Sequence, residues 1–285
     1  MKMKEHKFDL SGKVAAVTGG GGVLGSYFCK ALAEAGANVV VMDLQEEAAN
    51  KIAEEIVSDG GKAIGVAANV LDVESLKAAK AKVDEVYGGV DILLNGAGGN
   101  NPKGTSDDEF YDVEKTKANP DLKTFFDLDP KGIGFVMDLN YLGTLLPSQV
   151  FGKDMAERKG ATIINVSSMN AFTPLTKIPA YSGGKAAVSN FTEWLATYMS
   201  KAGVRVNAIA PGFLVTKQNE KLLLNEDGSY TARSQKIINA TPMERFGDPE
   251  ELVGAVLFLA DAKYSSFVSG VVLPIDGGFH AYSGV

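Results

Sequence analysis

The chain has 285 residues, 45% of them hydrophobic and 22% charged, which is the balance of a folded domain with a large core and not of a disordered chain. Its formal net charge of −7 and its lack of a Lys/Arg run argue against a nucleic-acid partner. A polar start at residues 1–13, with no later apolar stretch of about 20 residues, predicts a cytoplasmic protein with neither a secretion signal nor a membrane span.

Cysteine and histidine are too sparse for several classes of enzyme. Cys29 is the only cysteine, so no internal disulfide can form, and the two histidines, His6 and His280, lie near the chain ends. A Ser-His-Asp hydrolase or a zinc enzyme with Cys/His ligands would need such residues at interior strand ends. We therefore expect no metal site, and proton chemistry in the interior must use Tyr, Lys, Ser or carboxylates.

Apolar runs and amphipathic segments alternate along the chain. The apolar runs predict buried strands at residues 14–17, 39–42, 64–67, 92–94, 162–166, 204–209 and 271–273. Segments with helical period include 24–35, 46–57, 75–86 and 186–199. Strands that alternate with helices predict right-handed crossovers and a parallel sheet covered on both faces. We expect one α/β domain, Rossmann-like and doubly wound, with about seven parallel strands.

Two long polar segments, at about 99–134 and 211–247, each follow a predicted strand. They should therefore lie at the carboxyl edge of the sheet, where ligands bind in open α/β folds, although plain surface loops are the alternative. The helix expected at about 139–155 contains Pro147 and Gly152, which predict a kink or irregularity.

A glycine-rich run separates the first strand from the first helix. Gly20, Gly22 and Gly25 satisfy the pattern G-x-G-x-x-G. Glycines at this spacing allow a tight turn and let a pyrophosphate meet the amides that begin a helix. A purely structural turn is the alternative, because the pattern by itself is weak.

Asp43 ends the second strand, about 20 residues after the glycines. A carboxylate there can accept hydrogen bonds from the ribose hydroxyls of an adenosine. It would repel a 2′-phosphate, and the following Leu44 and Gln45 offer no cation to bind one. The sequence favours NAD over NADP, with a solvated turn residue as the alternative.

Tyr181 and Lys185 are four residues apart in a segment that begins a helix. This spacing places both on one helical face. The cation, together with a positively charged nicotinamide, should bring the tyrosine pKa towards neutrality and make it a general acid and base. The same spacing also occurs by chance in many helices.

These pieces recur in order with several others, and together they resemble the short-chain dehydrogenase/reductase family over residues 10–278. The other matching pieces are Asn95-Gly96-Ala97-Gly98, Asn140, Asn165-Val166-Ser167-Ser168, Pro211-Gly212, Ser269-Gly270 and Asp276-Gly277-Gly278. The resemblance implies a hydride-transfer enzyme with catalytic residues Asn140, Ser168, Tyr181 and Lys185.

The family's motif assigns a role to each of the four. Ser168, rather than Ser167, would polarise the substrate oxygen. Tyr181 would transfer the proton, and Lys185 would lower the tyrosine pKa and bind the ribose. Asn140 would hold a water that extends the proton relay to solvent.

The resemblance also implies a set of residues that bind the cofactor. They are Gly19, Gly20, Gly22, Val23, Leu24, Asp43, Asn69, Val70, Asn95, Ala97, Gly98, Tyr181, Lys185, Pro211 and Gly212. This chain departs from the family at Val23, where a glycine is usual, at Gly96, where an asparagine is usual, and at Asn69, where an aspartate is common. The departure at Val23 puts the path of the pyrophosphate in doubt.

The substrate side is less determined by the sequence. Asn100, Asn101 and Lys103 in the polar insertion and Asn170 beside Ser168 are candidates to meet hydroxyls and a carboxylate. For each of the four, a solvated loop residue is the alternative interpretation.

The glycine run, the Asn100–Gly104 stretch and the segment around Asn140 look like the D-mannonate oxidoreductase (fructuronate reductase) branch of the family. That resemblance implies NAD(H)-linked interconversion of D-mannonate and D-fructuronate by a homotetramer. Another sugar-acid or polyol reductase, such as a gluconate 5-dehydrogenase-like enzyme, is the alternative. A dinucleotide-binding sensor without catalysis is the alternative from a different class.

Overall fold

Seven parallel strands form one sheet in the order β3-β2-β1-β4-β5-β6-β7, as the computed structural model shows. The structure describes residues 7–216 and 219–284. The strands are β1 (Val14–Thr18), β2 (Asn38–Asp43), β3 (Lys62–Ala67), β4 (Ile92–Asn95), β5 (Thr162–Val166), β6 (Arg205–Pro211) and β7 (Val272–Ile275). The predicted doubly wound, parallel α/β fold is confirmed.

Helices cover both faces of this sheet. They are α1 (Val23–Glu34), α2 (Glu46–Ser58), α3 (Val73–Tyr87), α4 (Val113–Ala118), α5 (Pro130–Met137), α6 (Gly143–Met155), α7 (Pro179–Met199), α8 (Glu220–Leu223), α9 (Ala232–Asn239), α10 (Val253–Ala260) and α11 (Ala262–Ser265). One apolar cluster joins α1, α2 and α10 to the sheet, and a second joins α3, α6 and α7 to its other face.

The strand order reverses between β1 and β4, which are neighbours in the sheet but not in sequence. The loops after these two strands diverge to opposite faces and leave a crevice at the carboxyl edge, the usual ligand site of such sheets. All five residues of β1 and all four of β4 are buried, so both strands are fixed by packing on two faces. The fold therefore places the glycine run and the Asn95–Gly98 segment side by side.

The helix α7 begins at Pro179, well before the predicted segment 186–199. Gly183 and Gly184 weaken the helical signal in the sequence because glycine disfavours a helix interior. In the fold, a Cβ at Gly184 would lie only 3.2 Å from the Cβ of Asn140, so this glycine allows two helices to pack closely. Pro179 fits the first helical turn, where its missing N–H costs nothing.

The irregularity expected within 139–155 lies at its start. Residues Asp138–Leu142 form a π-helical turn between α5 and α6, whereas Pro147 stands inside a continuous α6. A π-turn inserts an extra residue into the hydrogen-bond ladder and is common at functional sites. Here that turn carries Asn140.

The polar insertion at 99–134 contains the short helix α4 and the start of α5. Within the described residues, no helix is long and apolar enough to cross a membrane.

Candidate functional site

The glycine run forms a tight turn against the start of α1. The amide of Gly20 donates to the carbonyl of Met42 (2.9 Å), and the amide of Gly22 donates to the carbonyl of Gly19 (3.1 Å). A Cβ at Gly25 would overlap the Gly19 carbonyl oxygen, so the helix and the turn meet there backbone to backbone. Gly22 is the N-cap of α1 and supplies no side-chain cap, which leaves the first amides of α1 open to an anion.

Asp43 faces this turn from the end of β2. One carboxylate oxygen accepts from the amide of Gly21 (3.1 Å), and the other accepts from the amide of Gln45 (3.1 Å). The carboxylate is thus held beside the turn, where a ribose linked to a bound pyrophosphate would lie. The turn, the open amides and this carboxylate together fit a dinucleotide such as NAD.

Of the other predicted cofactor residues, Gly98 lines the crevice, and Ala97 precedes it in the loop after β4. The amides of Gly96 and Ala97 donate to the hydroxyl of Thr18 (3.1 and 3.2 Å), which ties β4 to β1. A Cβ at Gly98 would lie 2.9 Å from Asn140 Oδ1 and 3.1 Å from Lys185 Nζ, so the bare backbone is what fits there.

Asn95 differs, because its side chain points into the interior. It donates to Ser148 Oγ and to Asn165 Oδ1, both at 2.9 Å, and is 1% exposed. Its side-chain amide therefore joins β4 to β5 and α6. The motif alone does not distinguish such a structural asparagine from one that contacts a cofactor.

The remaining cofactor candidates lie around the rim. Leu24, Pro211 and Gly212 line the crevice. Val70 is buried and packs near Gly143. The Oδ1 of the exposed Asn69 already accepts from the Leu71 amide (3.0 Å), which leaves it one further acceptor position.

Ser168, Tyr181 and Lys185 meet beside the end of β5. The hydroxyl of Tyr181 faces that of Ser168. Lys185 Nζ lies 5.7 Å from the centre of the Tyr181 ring and donates to the carbonyl of Val166 (2.8 Å). All three residues line one crevice of about 350 Å³ with the glycines of the β4 loop.

Burial governs the acid–base properties of this group. It raises the pKa of the Tyr181 hydroxyl, and the hydrogen bond with Ser168 only partly opposes that rise. The same desolvation lowers the pKa of Lys185 to about 8. The expected lowering of the tyrosine pKa by Lys185 is therefore not found in the chain alone, because removal from water outweighs a cation that sits over the ring rather than at the hydroxyl.

The two adjacent serines have different surroundings. Ser167 Oγ donates to the Lys185 carbonyl (3.1 Å) and is 2.7 Å from Ser189 Oγ, so it fastens α7 to the sheet. Ser168 Oγ faces Tyr181 and accepts only a long bond from the Asn170 amide (3.3 Å).

Asn140 is fully buried in the π-helical turn. Its Nδ2 donates to the carbonyls of Gly99 (2.7 Å) and Val136 (2.8 Å), while its Oδ1 accepts from the amide of Gly99 (3.3 Å). The side chain thus pairs with both backbone groups of Gly99, as a neighbouring strand would. It fixes the point at which the polar insertion leaves the core.

The substrate candidates are scattered. Asn100 lines a second cavity of about 520 Å³, next to the crevice. Asn101 and Lys103 are not among the residues that line either cavity, and Asn101 Oδ1 instead accepts from the Lys103 amide (2.9 Å). Asn170 is buried, and within the described part of the chain nothing donates a hydrogen bond to its Oδ1.

Sequence reasoning missed Arg233 and Phe213, which line both cavities. Both belong to the segment 211–247, which the sequence predicts to lie at the ligand-binding edge of the sheet. Nothing in the local pattern marks Arg233, because a basic residue on a short polar helix is ordinary surface composition. In residues 7–216 and 219–284, no three His, Cys, Asp or Glu side chains are grouped closely enough to hold a metal ion.

Sequence comparisons give a consistent picture. A family model described as short chain dehydrogenase matches residues 13–227. An uncharacterised oxidoreductase from Haemophilus influenzae is 58% identical over 97% of this chain and 96% of its own length. The uncharacterised oxidoreductase UxuB from Bacillus subtilis is 49% identical (97% and 98% covered), and a 2-dehydro-3-deoxy-D-gluconate 5-dehydrogenase from Formosa agariphila is 33% identical (99% and 98%).

Two crystal structures resemble the whole fold. A Haemophilus protein provisionally named D-mannonate oxidoreductase, with bound NAD, has a TM-score of 0.93 at 58% identity and is matched over 97% of this chain and 98% of its own. A gluconate 5-dehydrogenase from Burkholderia cenocepacia, in complex with NADP and tartrate, has a TM-score of 0.82 at 28% identity, with 97% and 98% covered.

Proposed function

This chain belongs to the short-chain dehydrogenase family and is an oxidoreductase, and we propose that it interconverts D-mannonate and D-fructuronate with NAD(H). In the oxidative direction, D-mannonate and NAD⁺ give D-fructuronate, NADH and one proton. The observation that carries this proposal is the charge of the cavity walls, considered with the relatives just described.

The two cavities have positively charged walls in a negatively charged protein. Lys185 and Arg233 are the charged residues that line the crevice, and Lys177 and Lys236 add to the cations in the neighbouring cavity. Among the residues that the structure describes, Glu109 is the only carboxylate in either lining, against a net charge of −7 for the chain. This reversal of sign favours an anionic substrate, as a sugar acid is.

The proposed chemistry uses the four residues that the family motif names. The Ser168 hydroxyl would bind the reacting oxygen, which the facing hydroxyl of Tyr181 would also reach. Tyr181 would take the hydroxyl proton during oxidation and return it during reduction. Lys185 would bind the ribose hydroxyls, and Asn140 would support a water in the proton relay. When bound, the nicotinamide supplies the hydride acceptor.

The preference for NAD is part of the proposal and rests on Asp43. Its carboxylate stands at the turn, where a 2′-phosphate would be repelled. Asp43→Asn keeps an oxygen that can accept from the Gly21 amide but removes the charge. We expect the ratio of kcat/KM with NAD to kcat/KM with NADP to fall about tenfold, equivalent to about 1.4 kcal/mol. An unchanged ratio would assign the preference to another residue.

A related activity on another hexonate is the second candidate, since relatives near 30% identity act on other sugar acids: the Formosa enzyme on 2-dehydro-3-deoxy-D-gluconate and the Burkholderia enzyme on gluconate. Asn170 stays a candidate through its position beside Ser168, and its buried Oδ1 does not line either cavity. Of the three candidates in the polar insertion, Asn100 is the one placed to contact a substrate, since it lines the second cavity.

A homotetramer is also proposed. Phe191, Trp194 and Tyr198 form a stacked row along α7, with Trp194 57% and Tyr198 70% exposed. Exposed aromatic rows of this kind are typical of protein interfaces. Light scattering coupled to size-exclusion chromatography should give a mass of about four chains, and Trp194→Glu should reduce it.

A panel of keto acids tests the main proposal. NADH oxidation is followed with D-fructuronate, 5-keto-D-gluconate and 2,5-diketo-3-deoxy-D-gluconate, and each is repeated with NADPH. We expect D-fructuronate with NADH to give the highest kcat/KM. Reduction of 5-keto-D-gluconate without D-fructuronate would replace the substrate assignment, and tight NADH binding without any turnover would favour a dinucleotide sensor.

A further inference from the structure

We propose that Arg233, on α9, binds the carboxylate of the substrate and so selects sugar acids over neutral sugars. This inference rests on the proposed function. It assigns a specificity residue to a position for which neither the sequence motifs nor the names of the relatives give a role.

Arg233 occupies the junction of the two cavities. It lines the crevice with Ser168 and Tyr181, and it also lines the adjoining cavity with Asn100. Within residues 7–216 and 219–284, Arg233 and Phe213 are the residues common to both linings, and Arg233 is the charged one. A substrate whose carbonyl lies at Ser168 and Tyr181 would therefore extend along Arg233 towards the larger cavity.

The other cations around the cavities already have partners. Lys236 Nζ is 3.0 and 3.2 Å from the two carboxylate oxygens of Glu109. Lys177 Nζ donates to the carbonyl of Asp107 (2.6 Å), and Lys185 Nζ donates to that of Val166 (2.8 Å).

Arg233 makes no hydrogen bond or ion pair with any residue in 7–216 or 219–284. Glu109, the one carboxylate that the described residues place in the same cavity, is engaged by Lys236. A guanidinium presents its donors as a planar fork that matches a carboxylate in a two-point contact. An unengaged fork at the mouth of a positively charged site is therefore suited to a substrate carboxylate.

The ketone and the carboxylate of D-fructuronate lie several carbons apart, which suits separate binding of the two groups. Ser168 and Tyr181 stand at the base of the crevice, and Arg233 stands on the covering segment after β6. Charge-assisted hydrogen bonds contribute enough that losing this contact should raise KM about 10- to 100-fold. The chemical step should change little, because the contact is the same in the bound substrate and in the transition state.

Three variants test the assignment: Arg233→Met, Arg233→Lys and the matched control Lys221→Met, which removes an exposed cation from the same segment after β6 at a position that lines neither cavity. Each is assayed with D-fructuronate and with D-fructose, in which a CH₂OH group replaces the carboxylate. We expect Arg233→Met to raise KM for the acid 10- to 100-fold with nearly unchanged kcat, and to leave kcat/KM for D-fructose unchanged. Arg233→Lys should recover part of the loss of affinity for the acid, and Lys221→Met should behave like the wild type.

Calorimetric titration of D-mannonate into the NADH-loaded protein gives a readout that does not depend on turnover. The affinity for D-mannonate should fall by the same factor in Arg233→Met, with the affinity for NADH unchanged. If Arg233→Met lowered kcat/KM equally for the acid and for the neutral sugar, or lowered the affinity for NADH, the assignment would be overturned.

Failure of the proposed function would look different. If the wild type reduces another keto acid instead of D-fructuronate, the same variants are assayed with that acid and the 2-keto or 5-keto sugar that lacks its carboxylate. A rise in KM for the acid alone would then support carboxylate binding by Arg233, while the proposed substrate would be replaced.

Discussion

The two sides of the crevice are built in opposite ways. On the cofactor side, the turn between β1 and α1 is held by backbone contacts, such as those of Gly20 with Met42 and of Gly22 with Gly19. On the substrate side, the segments 99–134 and 211–247 carry short helices and exposed side chains such as Asn100 and Arg233. On the cofactor side, binding depends on glycines that let two stretches of backbone approach closely. On the substrate side, binding depends on which side chains line a cavity.

This difference predicts different responses to mutation. Adding atoms to the cofactor side should damage folding or nucleotide binding, because two backbones meet there without space for a Cβ. Changing a side chain on the substrate side should alter specificity with little effect on stability, because such residues are solvated. Tyr181 and Lys185 lie between the cofactor side and the substrate side of the crevice. At these two residues, effects on stability or cofactor binding can be measured separately from effects on turnover.

The largest effect is expected from Tyr181→Phe. Removal of the hydroxyl eliminates the proposed acid and base, and kcat should fall by about 10²- to 10⁴-fold. NADH affinity, measured by fluorescence titration, should stay within about twofold, since the ring remains in place. Survival of more than a tenth of the wild-type turnover would show that another group transfers the proton.

Gly25→Ala should have the next largest effect. The added methyl group would collide with the Gly19 carbonyl, which is backbone and cannot rotate away. We expect a loss of about 1–3 kcal/mol in the free energy of unfolding, measured with urea, and weaker NADH binding. Gly254→Ala in α10 is the matched control, because nothing lies within 4 Å of its Cβ position and alanine favours a helix by roughly 1 kcal/mol. If both variants are equally stable, close packing does not define the cofactor side.

A smaller, pH-dependent effect is expected from the buried Lys185. Its pKa of about 8 in the folded chain lies below the ordinary value of 10.5. Below pH 8 the lysine is charged in both states, so the folded protein bears the full cost of burying that charge. Between about pH 8 and 10.5 the unfolded chain holds more protons, and stability should rise by roughly 1 kcal/mol per pH unit.

The measurement compares urea unfolding of the wild type and Lys185→Met across that pH range. The variant has no charge to bury, so the difference between the two proteins should shift in favour of the wild type as the pH rises. Parallel stability curves would mean that Lys185 is not desolvated in the folded protein.

The smallest effect is expected from Lys103→Ala in the polar insertion. Lys103 is exposed and does not line either cavity, so KM for D-fructuronate should change less than twofold and stability by less than about 0.5 kcal/mol. A tenfold rise in KM would instead favour the sequence-based assignment of Lys103 to the substrate.

The sheet was predictable because its signals are local. All seven predicted strands overlap observed ones, since a buried parallel strand reads as a continuous apolar run. The glycine pattern and the Tyr181–Lys185 spacing likewise depend on residues close in sequence. Their proximity to Ser168 followed from the resemblance to a family.

Other features could not be read from local patterns. The early start of α7 depends on packing of Gly184 against Asn140, which overrides the low helix propensity of glycine. The inward orientation of Asn95 depends on partners in β5 and α6. Arg233 reaches the crevice because the segment after β6 folds back over the crevice. The hydrophobic periodicity of the sequence does not predict this path.

The pairing of Asn140 with Gly99 bears on how this protein can diversify. One side chain holds both backbone groups of the residue at which the insertion begins, so the base of the loop stays fixed whatever its length or composition. Selection can then lengthen, shorten or replace residues beyond Gly99 without shifting the reacting groups. The buried Asn140 side chain thus allows the insertion, and with it the substrate specificity, to change while the catalytic residues keep their positions.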